Sequence, residues 1–347
     1  MRDEERLHRL LRQVAPGTPL REGIENVLHA GTGGLIVLGD VPEVLALAAG
    51  GFDMDFPFAP AALYELSKMD GAIILTSDAK RIVRANVQLV PDPSVPSVET
   101  GIRHRSAERV SRQTGVVVVA VSQRRHQVTL YQGTLRHVLR DTAQVLGRAN
   151  QALGALERQR VALVTEIAEL DAVEFSGEAT LIDVASAVQR FALLDRIARE
   201  VAGYVEELGT EGRMVAMQLH ELTRALSEEI HYVLRDYAAD SSIEHARALR
   251  EQLAAWSAEA LLDLGAVARS LGQSGELEQV VQPRGLRMLR RVPRLPPPVA
   301  DKLAQRFGTL GRLLGASIEE LDAVEGIGTA RAHAIRRHLA RMRDVAR

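Results

Sequence analysis

The sequence predicts three parts: an α/β N-terminal domain with a central mixed sheet over residues 1–140, an all-α helical spine over 141–283, and a small helical domain over 284–347. Short β-branched runs mark the first part, apolar residues at helical spacing mark the second, and prolines and glycines divide the third into short helices. The formal charge also differs, at +2, −12 and +8 in the three parts. Such segregation indicates that different parts meet different partners.

Three unbroken apolar runs in the first part predict strands that are covered on both faces, namely Leu35–Leu38, Ala72–Leu75 and Val116–Val121. Gln127–Tyr131 alternates polar and apolar residues, which predicts a more exposed strand. Ala61–Met69 has a helical pattern. Strands that alternate with helices in this way predict an α/β domain around a mixed sheet.

The second part carries four apolar stripes with spacings of three and four residues, which predict a bundle of long helices. The stripes cover residues 146–170, 184–208, 214–234 and 246–271. Arg160 interrupts the first stripe, and Gly272 follows the last. Asp240, Ser241 and Ser242 are candidate N-caps ahead of that last stripe. Each stripe lasts only about three to four heptads, which favours an ordinary core over a coiled coil that binds a partner.

Composition and missing motifs exclude several classes of site. The chain has no cysteine, which rules out disulfides, a Cys nucleophile, Fe–S clusters and zinc fingers. It has no GxxxxGK[ST], HExxH or GxSxG motif, and Gly31–Gly34 precedes a predicted strand, whereas a dinucleotide fingerprint follows one. No apolar run reaches the roughly 18 residues that span a membrane, and the charged start Met1–Glu5 lacks a signal core. We therefore expect a cytoplasmic protein without membrane contact.

The C-terminal part contains a Gly-x-Gly turn that resembles the helix-hairpin-helix motif. Gly326-Ile327-Gly328-Thr329 precedes a helical run over Arg331–Arg341. Two glycines let the backbone approach a phosphate closely, and amide N–H groups at the start of the following helix can bind it. Such contacts carry little base-sequence information. The candidate DNA-binding residues are Gly326, Ile327, Gly328, Thr329, Arg331, Arg336 and Arg337.

A degenerate copy of this motif lies 32 residues earlier in the chain. Val292, Leu295, Ala300 and Leu303 fall where Val324, Ile327, Ala332 and Ile335 stand in the second copy. Arg294 and Pro296 replace the two glycines, and because proline has no N–H to offer, the first copy is predicted to be a structural partner. A glycine-containing turn without a ligand is the alternative, although the basic charge and the repeat favour DNA binding.

One stretch of the first part is a candidate metal site. Lys68–Ala72 leads into a predicted strand, with Asp70 and Gly71 at its entrance. The pair is either an ordinary turn, or a carboxylate for a divalent cation beside a glycine that lets a ligand approach.

A second stretch, Glu99–Arg109, is a candidate anion site. Arg103 and Arg105 flank His104 after a Thr-Gly turn, and Ser106 follows as a possible helix cap. Arginines this close to a turn and a helix start suggest a polyanion such as a triphosphate. A solvated cluster of salt bridges is the alternative.

Together the two stretches resemble the diadenylate cyclase domain, in which Asp-Gly-Ala is followed about thirty residues later by Arg-His-Arg. Here these motifs are Asp70-Gly71-Ala72 and Arg103-His104-Arg105. Further stretches similar to the family are Leu20–Gly23, Thr32–Asp40, Leu63–Asp70, Ala85–Asp92 and Ser122–Arg125. With the helical middle and the helix-hairpin-helix tail, the resemblance to the DNA-integrity scanning form of this family covers the whole chain.

The resemblance implies an enzyme that joins two ATP molecules into cyclic di-AMP and releases two pyrophosphates. Each cyclase domain would bind one ATP, and two domains would face each other so that each ribose 3′-hydroxyl attacks the opposing α-phosphate. It also implies a homo-octamer, and a tail that binds branched or junction DNA and thereby restrains synthesis. Association with the nucleoid would accompany DNA binding.

The resemblance assigns roles to the first motif residue by residue. Asp70 would hold Mg²⁺ or Mn²⁺ near the attacking hydroxyl. In phosphoryl and nucleotidyl transfer, the metal ion and the positioning of the reactants provide most of the catalysis. Gly71 and Ala72 belong to the ATP site, with Gly71 against the nucleotide. Leu89 would offer backbone groups to the adenine.

The nucleotide loop of the family falls on Ile102–Ser106. There Arg103 and Arg105 would hold phosphates, and His104 would contact phosphate or metal. Two further ATP-binding candidates on the phosphate side are Ser122 and Arg125. The sequence departs from the family at Ile102, where a threonine is usual, and at Ser106, which keeps the hydroxyl of the usual threonine. Activity is expected to survive because the charged residues are all present.

Two other functions compete with the cyclase. A DNA-binding scaffold could sense ATP in a domain that does not turn it over. A nucleotidyltransferase acting on DNA ends would suit the tail, but the sequence lacks the paired carboxylates expected of a two-metal site.

Overall fold

The computed structural model of the chain describes residues 2–346, with side chains from residue 6 onward, and divides into two compact units. One unit holds the residues up to 149 together with 202–216, and the other holds 150–201 together with 217 onward. The first is built around a sheet and the second is built from helices.

The sheet of the first unit has eight strands and is mixed. Its strands are β1 (Gly34–Leu38), β2 (Ala48–Ala49), β3 (Phe52–Pro57), β4 (Ala72–Leu75), β5 (Arg81–Leu89), β6 (Val117–Ser122), β7 (Gln127–Gln132) and β8 (Leu135–Val138). They run in the order β2–β5–β4–β1–β6–β7–β8, with β3 also paired to β5. Within the described residues β1 and β4 pair in parallel and the other pairs are antiparallel, which confirms the predicted mixed sheet.

Helices cover both faces of this sheet. They are α1 (Arg2–Gln13), α2 (Pro19–His29), α3 (Pro42–Ala46), α4 (Pro60–Leu66) and α5 (Ile102–Thr114). Ile36 and Ile73 pack with α1, α2 and α4, whereas Val37 and Ile74 pack with α3 and α5 on the other face. The prediction of a more exposed strand over Gln127–Tyr131 is wrong, because Val128–Tyr131 of β7 are buried beneath these two layers.

Long helices account for the first three apolar stripes. After the sheet come α6 (Thr142–Ser176), α7 (Leu181–Leu208), a 3-10 turn over Gly209–Gly212, α8 (Arg213–Tyr237), α9 (Ile243–Ala254), α10 (Ala258–Leu261), α11 (Leu264–Ser270), α12 (Leu286–Arg290), α13 (Pro297–Phe307), α14 (Leu310–Gly315), α15 (Ile318–Asp322) and α16 (Thr329–Ala346). The stripes predicted over 146–170, 184–208 and 214–234 lie in α6, α7 and α8, which confirms those helices.

The fourth predicted stripe, over 246–271, does not form one helix. It is divided into α9, α10 and α11, because Ser257 and Asp263 each cap a new helix by accepting a hydrogen bond from a backbone N–H three residues on, at 3.1 and 3.0 Å. Ser242 is the N-cap of α9, so one of the three candidate caps is confirmed. Polar side chains therefore interrupt a helix where the apolar periodicity continues.

The C-terminal helices form two hairpins whose hydrogen bonds repeat with an offset of 32 residues. The carbonyl of Pro296 accepts from the N–H groups three and four residues on at 3.0 and 3.1 Å, and the carbonyl of Gly328 does the same at 2.8 and 3.0 Å. Arg294 has φ +60°, the left-handed conformation that Gly326 adopts at φ +89°. All eight apolar residues of the predicted repeat lie in one buried cluster, which confirms the repeat.

Candidate functional site

A cavity of about 400 Å³ opens at the amino ends of β1 and β4, where β5 ends and α5 begins. Its lining residues are Leu35, Asp70, Gly71, Ala72, Val87, Gln88, Leu89, Ile102, Arg103 and Ser106. The cavity thus joins the two stretches that the sequence singled out separately, around Asp70 and around Arg103. Leu35, Val87 and Gln88 were missed, because in the sequence they are ordinary strand positions.

Asp70 is the carboxylate of this cavity, and its side chain is fully exposed. Arg103 Nη2 lies 3.5 Å from Asp70 Oδ1, a distance that leaves the carboxylate largely free. The next residue explains how the loop reaches the cavity rim: a Cβ at Gly71 would lie 2.4 Å from the carbonyl carbon of Asn86. Glycine is therefore required here by the close approach of β5, in addition to any contact with a ligand.

The Arg-His-Arg stretch forms the first turn of α5, which begins at Ile102 with Gly101 as its N-cap. The prediction that Ser106 is the cap is wrong, because the extended backbone at Gly101 starts the helix one turn earlier. The N–H of Arg105 donates to the carbonyl of Gly101, so the three preceding N–H groups have no acceptor inside the helix. These N–H groups and the helix dipole attract an anion.

Arg103 is placed by the glycine turn that precedes β1. A Cβ at Gly33 would lie 2.7 Å from Arg103 Nη1, and Gly33 adopts φ +76°, in the left-handed region. The glycine turn therefore makes room for a guanidinium. The side chain of Arg103 is 33% exposed, which leaves donors free for a phosphate.

His104 and Arg105 do not line the cavity, so the contacts with phosphate or metal expected of them stay predictions. The His104 ring is buried with Nδ1 3.0 Å from the Tyr131 hydroxyl, and burial lowers the pKa of the imidazole. Arg105 is exposed and donates to the carbonyl of Thr100 at 3.1 Å, which holds the loop before α5. The reason is helical geometry, since each residue is rotated by about 100° from the last and three successive side chains cannot share one face.

The His104 ring belongs to a buried network that the sequence analysis missed. Tyr131 donates from its hydroxyl to Glu99 Oε1 at 2.8 Å, and Arg136 Nε donates to the same oxygen at 2.7 Å. Burial works to raise the pKa of Glu99, but these two hydrogen bonds outweigh it and bring the pKa below its ordinary value. No local motif marks the network, because the pairing of β7 with β8 is what sets Tyr131 opposite Arg136.

Ser122 and Arg125 lie at the β6–β7 hairpin, outside the lining of the cavity. Ser122 Oγ accepts a hydrogen bond from the N–H of Arg125 at 3.3 Å. The hairpin adjoins the glycine turn, since a Cβ at Gly33 would lie 3.2 Å from the carbonyl oxygen of Val121. The exposed Arg125 therefore adds positive charge on the side of the sheet where Arg103 lies.

In the second hairpin of the tail, the backbone is open to a ligand. Apart from Gly328 and its two chain neighbours, no described atom lies within 4 Å of the Cβ position of Gly328, and Gly326 is exposed in the left-handed conformation. The Ile327 side chain is only 7% exposed and belongs to the core, so this candidate can offer a ligand only its backbone. Thr329 Oγ1 donates to Asp322 Oδ1 at 3.2 Å and closes the hairpin.

The arginines of the tail divide into an exposed group and an internal group. Arg331, Arg336 and Arg337 are exposed on α16, and the Arg331 guanidinium also donates to the carbonyl of Gly326. The internal cations are Arg284, Arg287 and Arg291, which bond to carbonyls or carboxylates within the second unit. The basic surface is therefore smaller than the +8 balance of this part suggests.

Residues 2–346 also limit where a metal or a membrane span could lie. No group of three or more His, Asp or Glu side chains in that range could hold a metal ion. No helix there is both long and apolar enough to cross a bilayer.

Three family models match consecutive parts of the chain. Residues 21–135 match the DisA bacterial checkpoint controller nucleotide-binding domain, and residues 139–280 match the DisA bacterial checkpoint controller linker region. Residues 293–344 match the helix-hairpin-helix motif.

Three curated relatives, each named DNA integrity scanning protein DisA, are similar over nearly the whole chain. The protein of Symbiobacterium thermophilum is 55% identical, covering 99% of this chain and 97% of the relative. That of Carboxydothermus hydrogenoformans is 47% identical, covering 98% of each. That of Clostridium perfringens strain 13 is 47% identical, covering 98% of this chain and 96% of the relative.

Proposed function

Because the chain belongs to the family of DNA integrity scanning proteins DisA and is a diadenylate cyclase, we propose that its cavity binds one ATP for condensation with a second. The observation that carries the proposal is the meeting of a free carboxylate, Asp70, and the first turn of α5 at one cavity. A carboxylate for a cation and a helix start for phosphates are what a nucleoside triphosphate requires.

In the proposed complex the first turn of α5 holds the triphosphate. The free N–H groups of Ile102, Arg103 and His104 and the Arg103 guanidinium are the donors. Because the binding at Ile102 uses its backbone, the missing threonine hydroxyl at this position costs little. Leu89, at the end of β5, offers backbone groups to the adenine.

Asp70 holds Mg²⁺ or Mn²⁺ in this proposal. Its carboxylate is exposed, lies at the cavity and has only one long contact with Arg103, so it can accept a cation together with phosphate oxygens. A bound divalent cation supplies positive charge beside the reacting phosphate.

Two copies must face each other to complete the reaction. Each ribose 3′-hydroxyl gives its proton to water as its oxygen forms a bond to the α-phosphorus of the opposing ATP, and the bond from that phosphorus to the β-phosphate bridging oxygen breaks and releases pyrophosphate. Apolar side chains at the surface of the same domain support such an apposition: Ile102 is 84% exposed, Phe52 58% and Phe56 50%. Exposed apolar side chains mark an interface where they form one continuous patch, and the proposal requires these three to do so in the assembled pair. We extend the proposal to the homo-octamer that the family resemblance implies.

The product assay tests the cyclase. Incubation with ATP and Mn²⁺ followed by chromatography is expected to show cyclic di-AMP and two pyrophosphates per product, with specific activity falling as the protein is diluted below the association range. ATP binding without a cyclic dinucleotide, under varied metal and pH, would support the scaffold instead. Transfer of label from ATP to DNA ends would support the DNA nucleotidyltransferase.

We further propose that the second hairpin of the tail binds DNA phosphates, with branched DNA preferred and synthesis restrained on binding. Support comes from the open backbone at Gly328 and the exposed arginines of α16. The protein would then associate with the nucleoid.

Gly328→Pro tests this hairpin, because the first hairpin shows that proline fits the equivalent position, Pro296. The variant loses one N–H that has no partner among the described residues, and we expect about tenfold weaker binding to junction DNA, or ~1.4 kcal/mol. The slope of affinity against salt should stay the same because no cation is lost. Pro296→Gly is the matched control and should bind as the natural protein does. Equal affinity of Gly328→Pro and Pro296→Gly would place the DNA contact elsewhere.

A further inference from the structure

A chain of four side chains, three of them buried and the exposed Arg136 at its end, joins β8, β7 and the loop before α5 to the first turn of α5. Arg136 donates to Glu99, Tyr131 donates to Glu99, and the Tyr131 oxygen lies 3.0 Å from His104 Nδ1. Tyr131 is fully buried, and the side chains of Glu99 and His104 are less than a tenth exposed. All of these contacts join atoms of the protein itself.

The protons in this chain can be counted. Hydrogen bonds keep the pKa of Glu99 low, so it is a carboxylate that only accepts, and burial raises the pKa of Tyr131, so the phenol keeps its single proton. The phenol donates that proton to Glu99 in a hydrogen bond, so toward His104 the phenol oxygen can only accept. Burial lowers the pKa of His104, so the imidazole is neutral and carries one proton. That proton must therefore sit on Nδ1.

The other ring nitrogen is then an acceptor. His104 Nε2 is buried and has no hydrogen-bond partner among the described residues. An N–H at this position would have nothing to donate to, which agrees with the tautomer that the proton count requires.

His104 is the third residue of α5, next to Arg103 and one turn from the Gly101 cap. Arg105 holds the carbonyls of Glu99 and Thr100 at 3.4 and 3.1 Å, so the loop that leads into the helix is fixed through both its backbone and its Glu99 side chain. The direction of the free N–H groups at the helix start follows from these anchors. An anion site whose donors are already oriented binds with less loss of entropy.

We propose that Tyr131 and Glu99 are positioning residues, which lock His104 in the Nδ1–H tautomer and thereby hold the first turn of α5 in the geometry that binds the triphosphate. This inference deepens the proposed function and rests on it for the identity of the ligand. The lock itself is a property of the protein without ATP.

The first experiment uses the ligand-free protein with ¹⁵N-labelled histidine. The chain has ten histidines, and the signal of His104 is identified by its loss in His104→Gln. Solid-state ¹⁵N spectra are expected to show a protonated Nδ1 and an unprotonated Nε2, and Tyr131→Phe, which removes the acceptor of the Nδ1 proton, should give a mixture of both tautomers. A protonated Nε2 in the natural protein would overturn the proposal, and so would an unchanged spectrum in Tyr131→Phe. This experiment does not depend on catalysis, so failure of the cyclase assay would leave its result intact.

The second experiment measures binding of α,β-methylene-ATP, which cannot release pyrophosphate, by calorimetry. Tyr131→Phe is expected to bind about tenfold more weakly, as is typical when a group behind a ligand-binding residue is lost. Tyr237→Phe is the matched control, since Tyr237 is also buried and donates to a buried carboxylate, Glu174, at 2.8 Å in the second unit. It should bind as the natural protein does. Equal affinity of the natural protein and Tyr131→Phe would overturn the positioning role.

Discussion

The cavity beside α5 and the interior of the second unit are built from the same side chains, arginine and carboxylate, with opposite results. At the cavity, Asp70 is fully exposed and Arg103 lies 3.5 Å away, so both groups stay available to a ligand. In the second unit, Arg287 is completely buried and lies within 3.1 Å of the carboxylates of Asp171, Glu174 and Glu229. Charge alone therefore does not distinguish a binding site from a structural element, and exposure does.

The buried group, which we call the Arg287 cluster (Asp171, Glu174, Glu229, Arg287 and Arg291), is closed because each charge has a partner. Its neighbour Asp236 caps α12 by accepting from the N–H groups of Leu286 and Arg287, at 2.7 and 3.0 Å. Removing a buried charge from water is costly unless geometry and hydrogen bonds compensate. The cluster therefore connects α12 to α6 and α8. A substitution that removes one partner leaves a buried charge uncompensated and lowers the free energy of unfolding.

The largest effect is expected from Arg287→Met, which leaves the buried Glu174 without its cation in the cluster and leaves Asp171 and Glu229 with Arg291 alone. We expect a loss of about 3–5 kcal/mol in the free energy of unfolding of the second unit. Urea unfolding followed by the fluorescence of Trp256, the one tryptophan of the chain, reports on this unit. Arg306→Met, at an exposed position of α13, should change stability by less than about 0.5 kcal/mol. Equal stability of the two variants would show that the cluster is dispensable.

Asp70→Asn should lower turnover and leave stability unchanged, whereas Arg287→Met acts on stability. Turnover is expected to fall at least about a hundredfold, or ~2.7 kcal/mol in the activation barrier, because the carboxylate for the cation is lost at nearly constant volume. The unfolding midpoint should stay the same, since the Asp70 side chain is fully exposed. Asp78→Asn, an exposed carboxylate outside the cavity, should keep its turnover. Near-normal synthesis by Asp70→Asn would remove Asp70 from the mechanism.

The smallest expected effect is a pH dependence of the second unit. Burial first, and then the charge of Glu174, raise the pKa of Asp236 from its ordinary value of 3.8 to about 7. A carboxyl whose pKa is raised on folding stabilises the protein while it is protonated, and this contribution is lost as pH rises toward the folded pKa. Between pH 6 and 7 we expect a loss of ~1 kcal/mol in unfolding free energy.

The side chain of the Asp236→Asn variant cannot ionise. Comparing the unfolding free energies of this variant and of the natural protein at pH 6 and pH 7 therefore measures the contribution of Asp236 ionisation. The difference between the two proteins should change by the stated amount. A constant difference would mean that Asp236 is ionised throughout this range.

Much of the fold was accessible from the sequence because it depends on neighbours in the chain. The runs at Leu35–Leu38 and Ala72–Leu75 form β1 and β4, and the apolar stripes form α6, α7 and α8, because periodicity reports which face of an element is apolar. The tail repeat was equally visible, since each copy is a local unit of about thirty residues. The motifs at Asp70 and Arg103 indicated the ligand chemistry for the same reason.

What only the tertiary structure decided is which charges meet and which are covered. Arg291 and Asp171 are 120 residues apart, and Tyr131 and Glu99 are 32 apart, so no local pattern could pair them. The rotation of α5 turned His104 inward, and the two helical layers buried β7. Periodicity specifies an apolar face but not what packs on it, and the free energy of a charge depends on how far its surroundings exclude water.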